Sequence, residues 1–342
     1  MEQRQSDPDR IVRLGVIGAG LAFKWLHWPA LQRLADRFHI VAVADIVPEA
    51  AAEVAALVGG ARTTTDYGDL LAADDVEAVL ISLPIHLNAQ VILESVRAGK
   101  HVICEKPIAA NLAQGEEVVA ALRGATVVVE IAENYHYRPE VQQARAWMAD
   151  GRIGRPMLID VVNYYWVDLE EGFGTTYWRQ DSQYRGGAIT DAAVHQAALL
   201  RELGGEVAQL QAFAKLIRPG MSGHDTLIVN LRFRGGALGR LLFSAGAAGA
   251  PPAPWMALVT GTEGSITLDR GVAVLHRPGA EPEEYRTPDG DQASFYAEFV
   301  NFWEAIVHGA PVVATPAEAL RDLAILMRAL DSAESRSVML MR

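Results

Sequence analysis

This chain has four lysines against 26 arginines, so a lysine at the end of an apolar run stands out from the background composition. Lys106 is such a residue, in Glu105-Lys106-Pro107 after Val102–Cys104. Burial can lower a lysine pKa far enough for proton exchange near neutral pH, which arginine does not do. Pro107 confines Lys106 to extended backbone and helps hold its ammonium in place. Gly18-Ala-Gly20 ends one apolar run and opens a helical one. The first glycine allows a tight turn and the second lets the backbone approach a pyrophosphate. Gly18, Gly20, Leu21 and Ala22 are therefore candidate cofactor contacts at a helix N-terminus. Phe23 stands where the usual fingerprint has its third glycine. Asp45 closes the next apolar run; its carboxylate suits ribose hydroxyls and repels a 2′-phosphate. Ile46 and Val47 supply no neutralising cation, so NAD is favoured, with NADP as the alternative. Asp191 and His195 are four apart on an expected helix and project from one face. A carboxylate there could orient the imidazole and stabilise its protonated form.

The elements that must position these groups alternate in the first third. Strands are expected at Ile11–Ile17, His39–Ala44, Val76–Leu83, Val102–Cys104 and Thr126–Ile131. Helices are expected at Leu21–Phe38, Pro48–Val58, Leu87–Ala98 and Leu112–Leu122. That alternation means βαβ units and a parallel sheet, with ligands beyond the carboxyl ends of its strands. Gly18, Asp45, Pro84 and Lys106 all fall at such ends. After Asp150 the pattern changes to successive strands: Met157–Trp166, Val207–Leu216, Thr226–Phe233, Ala237–Phe243, Met256–Val259, Ser265–Leu268 and Val272–Leu275. Short turns between them imply a large, mostly antiparallel open sheet. Ala188–Leu203, Phe295–Val307 and Ala317–Ser332 read as helices, and Ala245–Pro254 and Arg277–Gln292 as loops. The reading is an α/β Rossmann domain over residues 1–131 and an α+β domain over 132–342. The helix over 317–332 is a candidate to pack back on the first domain.

Composition narrows the function. A length of 342 residues with 50% hydrophobic and 21% charged residues fits a globular protein of two domains. A net charge of −12 argues against general binding to nucleic acid or an anionic membrane. Cys104 is the only cysteine, which excludes intrachain disulfides and multi-cysteine metal sites; no metal site is expected. The polar opening stretch, Met1–Ile11, has no apolar core of a secretion signal, and a cytoplasmic location is expected.

Gly18-Ala-Gly20, Glu105-Lys106-Pro107 and the Gly186–His195 stretch, in that order, resemble the Gfo/Idh/MocA family of glucose–fructose oxidoreductase, inositol dehydrogenase and rhizopine-catabolism proteins. The resemblance extends to Glu133–Pro139 and to Thr315–Leu320. It implies that Lys106, Asp191 and His195 converge where two domains meet, and that the Lys106–Pro107 peptide is cis. Many members carry Thr-Pro-Asn followed by His three residues later; here the stretch is Leu83-Pro84-Ile85-His86-Leu87-Asn88. Leu83, Pro84, Glu105 and Asn134 are expected on the cofactor side. Lys24 and His27 are further candidates for its phosphates, and His86 is a weaker candidate ligand contact. Tyr164, Trp178 and Arg179, with Tyr177 and Tyr184 nearby, are candidates for the substrate. Aromatic faces suit a sugar ring, and Arg179 suits hydroxyls or a phosphate.

The implied activity is hydride transfer between a nicotinamide and a secondary alcohol or ketone carbon of a sugar, sugar derivative or cyclitol. His195 is the expected general base, and Lys106 is expected to hydrogen-bond the same oxygen. Asp191 would orient the substrate or His195, and Tyr137, Tyr164 or Tyr184 would be the next candidates for the base. Two alternatives stay open: an NAD-retaining glycosidase with no net redox change, and a non-catalytic NAD(H)-binding regulator. The apolar residues on one sheet face, such as those in Asn163–Trp166, predict a homodimer or homotetramer through the second domain.

Overall fold

The structure is a computed structural model that describes residues 10–341. The reading of the opening stretch therefore lies, for residues 1–9, outside the described residues. The chain forms two compact units. One takes the residues up to Ala132 plus Phe295–Ala319; the other takes Glu133–Ser294 and the residues from Leu320 onward.

The first unit is built on a six-stranded parallel sheet. Its strands are β1 (Val12–Ile17), β2 (Phe38–Ala44), β3 (Arg62–Thr64), β4 (Ala78–Ile81), β5 (His101–Glu105) and β6 (Val129–Ala132). Their order, β3-β2-β1-β4-β5-β6, reverses direction between β1 and β4, where doubly wound sheets hold dinucleotides. β4 is buried at every position, as expected of a central parallel strand covered on both faces. The helices are α1 (Trp28–Gln32), α2 (Pro48–Leu57), α3 (Tyr67–Ala72), α4 (Ile85–Arg97) and α5 (Leu112–Ala121). The first helical stretch ends earlier than its apolar spacing suggests. Phe38 opens β2 instead and stacks on Phe302. The short polar β3 at the sheet edge carries no apolar pattern, and so escapes a reading based on periodicity.

The second unit begins with α6 (Pro139–Ala149) and the strand β7 (Pro156–Tyr164), followed by α7 (Tyr177–Gln180), α8 (Ala188–Ala192) and α9 (Val194–Gly204). Then come β8 (Val207–Lys215), β9 (Thr226–Phe233), β10 (Leu238–Ser244), β11 (Ala257–Gly261), β12 (Ser265–Asp269), β13 (Val272–His276), β14 (Glu283–Arg286) and a terminal β15 (Met339–Leu340). The nine strands form one mixed sheet in which only β7 and β10 pair in parallel. β14 lies in the stretch expected as a solvated loop: Glu283 and Glu284 occupy an exposed edge strand where charge is tolerated. The helix expected over Ala188–Leu203 is broken at Ala193 into α8 and α9.

Two long helices complete the chain, α10 (Gln292–His308) and α11 (Pro316–Ser335). The expected return to the first domain involves an earlier segment than residues 317–332. Phe295, Phe299, Phe302 and Trp303 of α10 join the core formed by Phe38, Leu31, Leu34 and Val12, whereas α11 from Leu320 onward belongs to the second unit. Burial of these four aromatic side chains ties α10 to the first unit. Among the described residues no helix is long and apolar enough to cross a membrane.

Candidate active site

The turn after β1 is shaped by one obligatory glycine. Gly18 has φ +98°, and a Cβ there would lie 2.2 Å from the carbonyl oxygen of Ser82. Gly20 differs: a Cβ would meet no protein atom within 4 Å. The space beside its backbone and the first amides of the helix is what a diphosphate needs, so these residues fit a dinucleotide. Phe23, in place of the third glycine, is fully buried in the core, and Phe23–His27 wind as a π-helix. Asp45 accepts from Ala19 N at 2.8 Å and from Val47 N at 2.9 Å. It therefore fastens the glycine turn as well as standing at the end of β2. Ile46, beside it, is 87% exposed and offers no positive charge to a 2′-phosphate.

Two candidates for the phosphates are engaged elsewhere. Lys24 Nζ pairs with Glu53 at 3.0 Å. His27 has no exposed surface; its Nε2 lies 2.8 Å from Glu105 Oε1, and Phe299 meets its ring edge-on. Its role is to hold Glu105. The other oxygen of Glu105 accepts from the backbone N–H of Lys106 at 3.1 Å. Lys106–Pro107 is cis. Asn88, where the family resemblance led to the expectation of a histidine, is fully buried. Its amide donates to the carbonyls of Glu105 and Pro107. The loop that presents Lys106 is thus gripped from α1's approach by His27 and from α4 by Asn88. His86 sits partly buried in the first turn of α4, and Leu83 and Pro84 lead into that helix.

In the second unit His195 opens α9. Its Nδ1 lies 2.7 Å from Glu133 Oε1, and the Tyr135 ring stacks on the imidazole with centroids 4.8 Å apart. The carboxylate on this nitrogen is therefore Glu133, although Ala193, between α8 and α9, keeps helical dihedrals (φ −75°, ψ −4°). Asp191 instead accepts from Arg179 Nε at 2.6 Å. The guanidinium of Arg179 lies 4.0 Å from the Trp178 ring centre and 5.1 Å from that of Phe173, which adds cation–π attraction to the ion pair.

The charge of this carboxylate acts on two tyrosines. Burial, then the Asp191 charge, push the hydroxyl pKa of Tyr184 well above its ordinary value. The same two causes, in the same order, raise the hydroxyl pKa of Tyr165, which keeps 38% of its surface exposed. Neither is poised to give up its proton near neutral pH. Tyr164, the residue singled out from sequence, pairs in register with Ser244, and thus shares the sheet face of Val162 and Leu242. A shift of one residue along a strand reverses the face, and Tyr165, against Phe243, is on the opposite face and is the one that feels the Asp191 charge. Tyr137 is buried, Tyr177 is 71% exposed, and the amide of Asn134 donates to Ser294 Oγ.

Sequence reasoning passed over Asn88, Glu133, Tyr135 and Tyr165. Glu133 had a signal: it follows β6 directly, at the same kind of strand end that marks Gly18, Asp45 and Lys106.

Comparison with known proteins bears on both units. The NAD-binding Rossmann fold of the GFO/IDH/MocA oxidoreductase family matches residues 12–133, and the C-terminal domain of that family matches residues 141–267. A 1,5-anhydro-D-fructose reductase of Ensifer adhaerens is 32% identical over 66% of this chain and 67% of its own length. A levoglucosan dehydrogenase of Pseudarthrobacter phenanthrenivorans is 27% identical over 75% of this chain and 73% of its own. The crystal structure of an oxidoreductase from Thermotoga maritima is similar with a TM-score of 0.89 and 32% identity, covering 97% of this chain and 98% of that one.

Proposed function

This chain belongs to the GFO/IDH/MocA family of oxidoreductases, and we propose that it moves hydride between NAD and a secondary alcohol or ketone carbon of a sugar, a sugar derivative or a cyclitol. The observation that carries the reading is the state of His195. One ring nitrogen is anchored on a buried carboxylate, one ring face is stacked, and 23% of the side chain is left exposed. Relatives named for levoglucosan and 1,5-anhydro-D-fructose support a sugar-derived substrate.

Bound NAD would supply the hydride acceptor. The backbone at Gly18, Gly20, Leu21 and Ala22 would hold its diphosphate and Asp45 its adenosine ribose, with Leu83, Pro84, Glu105 and Asn134 towards the nicotinamide. In the oxidative direction the substrate O–H proton goes to His195 as the C–H hydride leaves and the C=O bond forms. Lys106 hydrogen-bonds the same oxygen and stabilises the negative charge that develops there. Asp191, held by Arg179, binds a neighbouring hydroxyl, and Trp178 offers an apolar face to the ring. Reduction runs the same steps backwards.

A second copy of the chain is proposed to cover the open face of the nine-stranded sheet. There Phe213, Ile228 and Leu242 lie side by side across three strands; Phe213 is 68% and Ile228 41% exposed. An apolar row of this breadth favours burial against a partner.

The test is a dehydrogenation screen over cyclitols, aldoses, nucleotide sugars and glycosides with NAD⁺ and NADP⁺, read at the absorbance of the reduced cofactor. On the substrate found, His195→Ala loses roughly 10²–10⁴-fold in kcat, and Lys106→Ala at least as much. Lys106→Arg does not rescue, because arginine keeps its proton. NADH binding without turnover of any of these compounds, or of the matching keto-sugars, would overturn the reading.

A further inference from the structure

We infer that Glu133 is the positioning residue of His195: it fixes the ring proton on Nδ1, so that Nε2 is the nitrogen that receives the substrate proton. The inference rests on the reading of His195 as the base and adds the residue that sets its tautomer.

Glu133 is 1% exposed. An ionised carboxylate has only acceptor sites, so the nitrogen 2.7 Å from it must carry the hydrogen. In a neutral imidazole that leaves Nε2 with a bare lone pair. The carboxylate is itself held still. Its Oε1 also accepts from Tyr135 N at 3.2 Å, which caps the turn Asn134–Tyr137. Tyr135 is in turn fixed, its ring stacked on His195 and close to the guanidinium of Arg138. Arg138 is pinned by Glu140 at 2.5 Å and Asp291 at 2.7 Å. The imidazole is thus set in position by one hydrogen bond and one stacked ring, both from residues 133–135.

The step balances within the residues named. The substrate O–H bond breaks and its proton joins Nε2; the resulting imidazolium faces the Glu133 carboxylate, which stabilises the new charge. Asp191, occupied with Arg179, is then left to orient the substrate.

Two measurements test this, and they fail separately. The first needs no substrate. In protein labelled with ¹⁵N at histidine, with His195→Gln used to assign the signal, neutral His195 should show the Nδ1–H tautomer. Glu133→Ala should release it towards Nε2–H. A wild-type Nε2–H tautomer overturns the inference whatever the reaction is. The second is kinetic, on the sugar or cyclitol that the dehydrogenation screen returns. Glu133→Gln keeps the size of the side chain and an acceptor for Tyr135 N, but removes the charge. It should lower kcat, up to the roughly 10²–10⁴-fold expected of a lost general base, with KM and NADH affinity unchanged. Normal kcat in Glu133→Ala, which has no acceptor for Nδ1–H, while His195→Ala is impaired overturns the role of Glu133 alone; normal kcat in His195→Ala overturns the base itself. If neither Glu133 variant folds, the wild-type tautomer decides.

Discussion

The side-chain amide of Asn88 donates at 2.9 Å to the carbonyl of Glu105 and, with the same nitrogen, at 2.8 Å to that of Pro107. One buried group thus ties both ends of the tripeptide that carries Lys106. Asn88→Ala should cost about 1–3 kcal/mol, the penalty for leaving buried carbonyl groups without a donor. Asn88→Asp should cost more, because an ionised carboxylate would face two carbonyl oxygens. Urea denaturation of the two variants gives the order; equal stability of Asp and wild type would contradict it.

Gly18 and Gly20 should separate fold from cofactor. Gly18→Ala forces a side chain against Ser82 O at a positive φ and should lower Tm markedly, with or without cofactor. Gly20→Ala meets no protein atom, so Tm of the apo-protein should hold while NADH binding weakens. Thermal melts and NADH fluorescence titration read the two effects independently.

His136 should set a pH dependence of stability in the second unit. Burial alone would lower its pKa, but hydrogen bonds to Asp322 and Glu202 outweigh burial and raise it to about 10. The folded form therefore holds its proton more tightly than the unfolded chain, whose histidine titrates near 6.5. The stabilisation from this group is complete below about 6.5 and is lost as pH rises through about 10. Denaturation midpoints of wild type and His136→Gln should differ most at neutral to mildly acidic pH and converge towards pH 10. A gap that widens with pH would contradict the assignment.

Ile228, 41% exposed in the middle of the open sheet face, should govern assembly. Ile228→Glu should leave the fold intact, since the side chain packs into no core, and shift the protein to monomer in light scattering at micromolar concentration. A wild-type protein that is already monomeric would refute the covered face.

Legibility in the sequence followed the strength of local signals. The parallel strands were readable because continuous apolar runs such as Ala78–Ile81 end at turn residues. The glycine turn was readable because it stands between an apolar run and a helical one, and Lys106 because lysine is rare in this chain. β3 and β14 were missed because edge strands can be polar along their whole length. Glu133 was missed as the partner of His195 because they are 62 positions apart, and no period of helix or strand links such residues. Tyr165 was missed for its neighbour because a one-residue register decides the face, and the register of β7 is set by β10 and β11, far along the chain.

The return of α10 to the first unit has a consequence for how the protein is made. Phe38, Leu31 and Leu34 emerge from the ribosome early, but their partners Phe299, Phe302 and Trp303 arrive only after eight of the nine strands of the second sheet, β7 to β14, have been synthesised. At ~5–20 residues per second that is a wait on the order of tens of seconds. Throughout it, the side of the nucleotide-binding sheet that α10 will cover is exposed, and His27 lacks the aromatic edges that later enclose it. The first unit is therefore unfinished until α10 arrives, and a ribosome stalled before Phe295 would display an incomplete core with its apolar side uncovered.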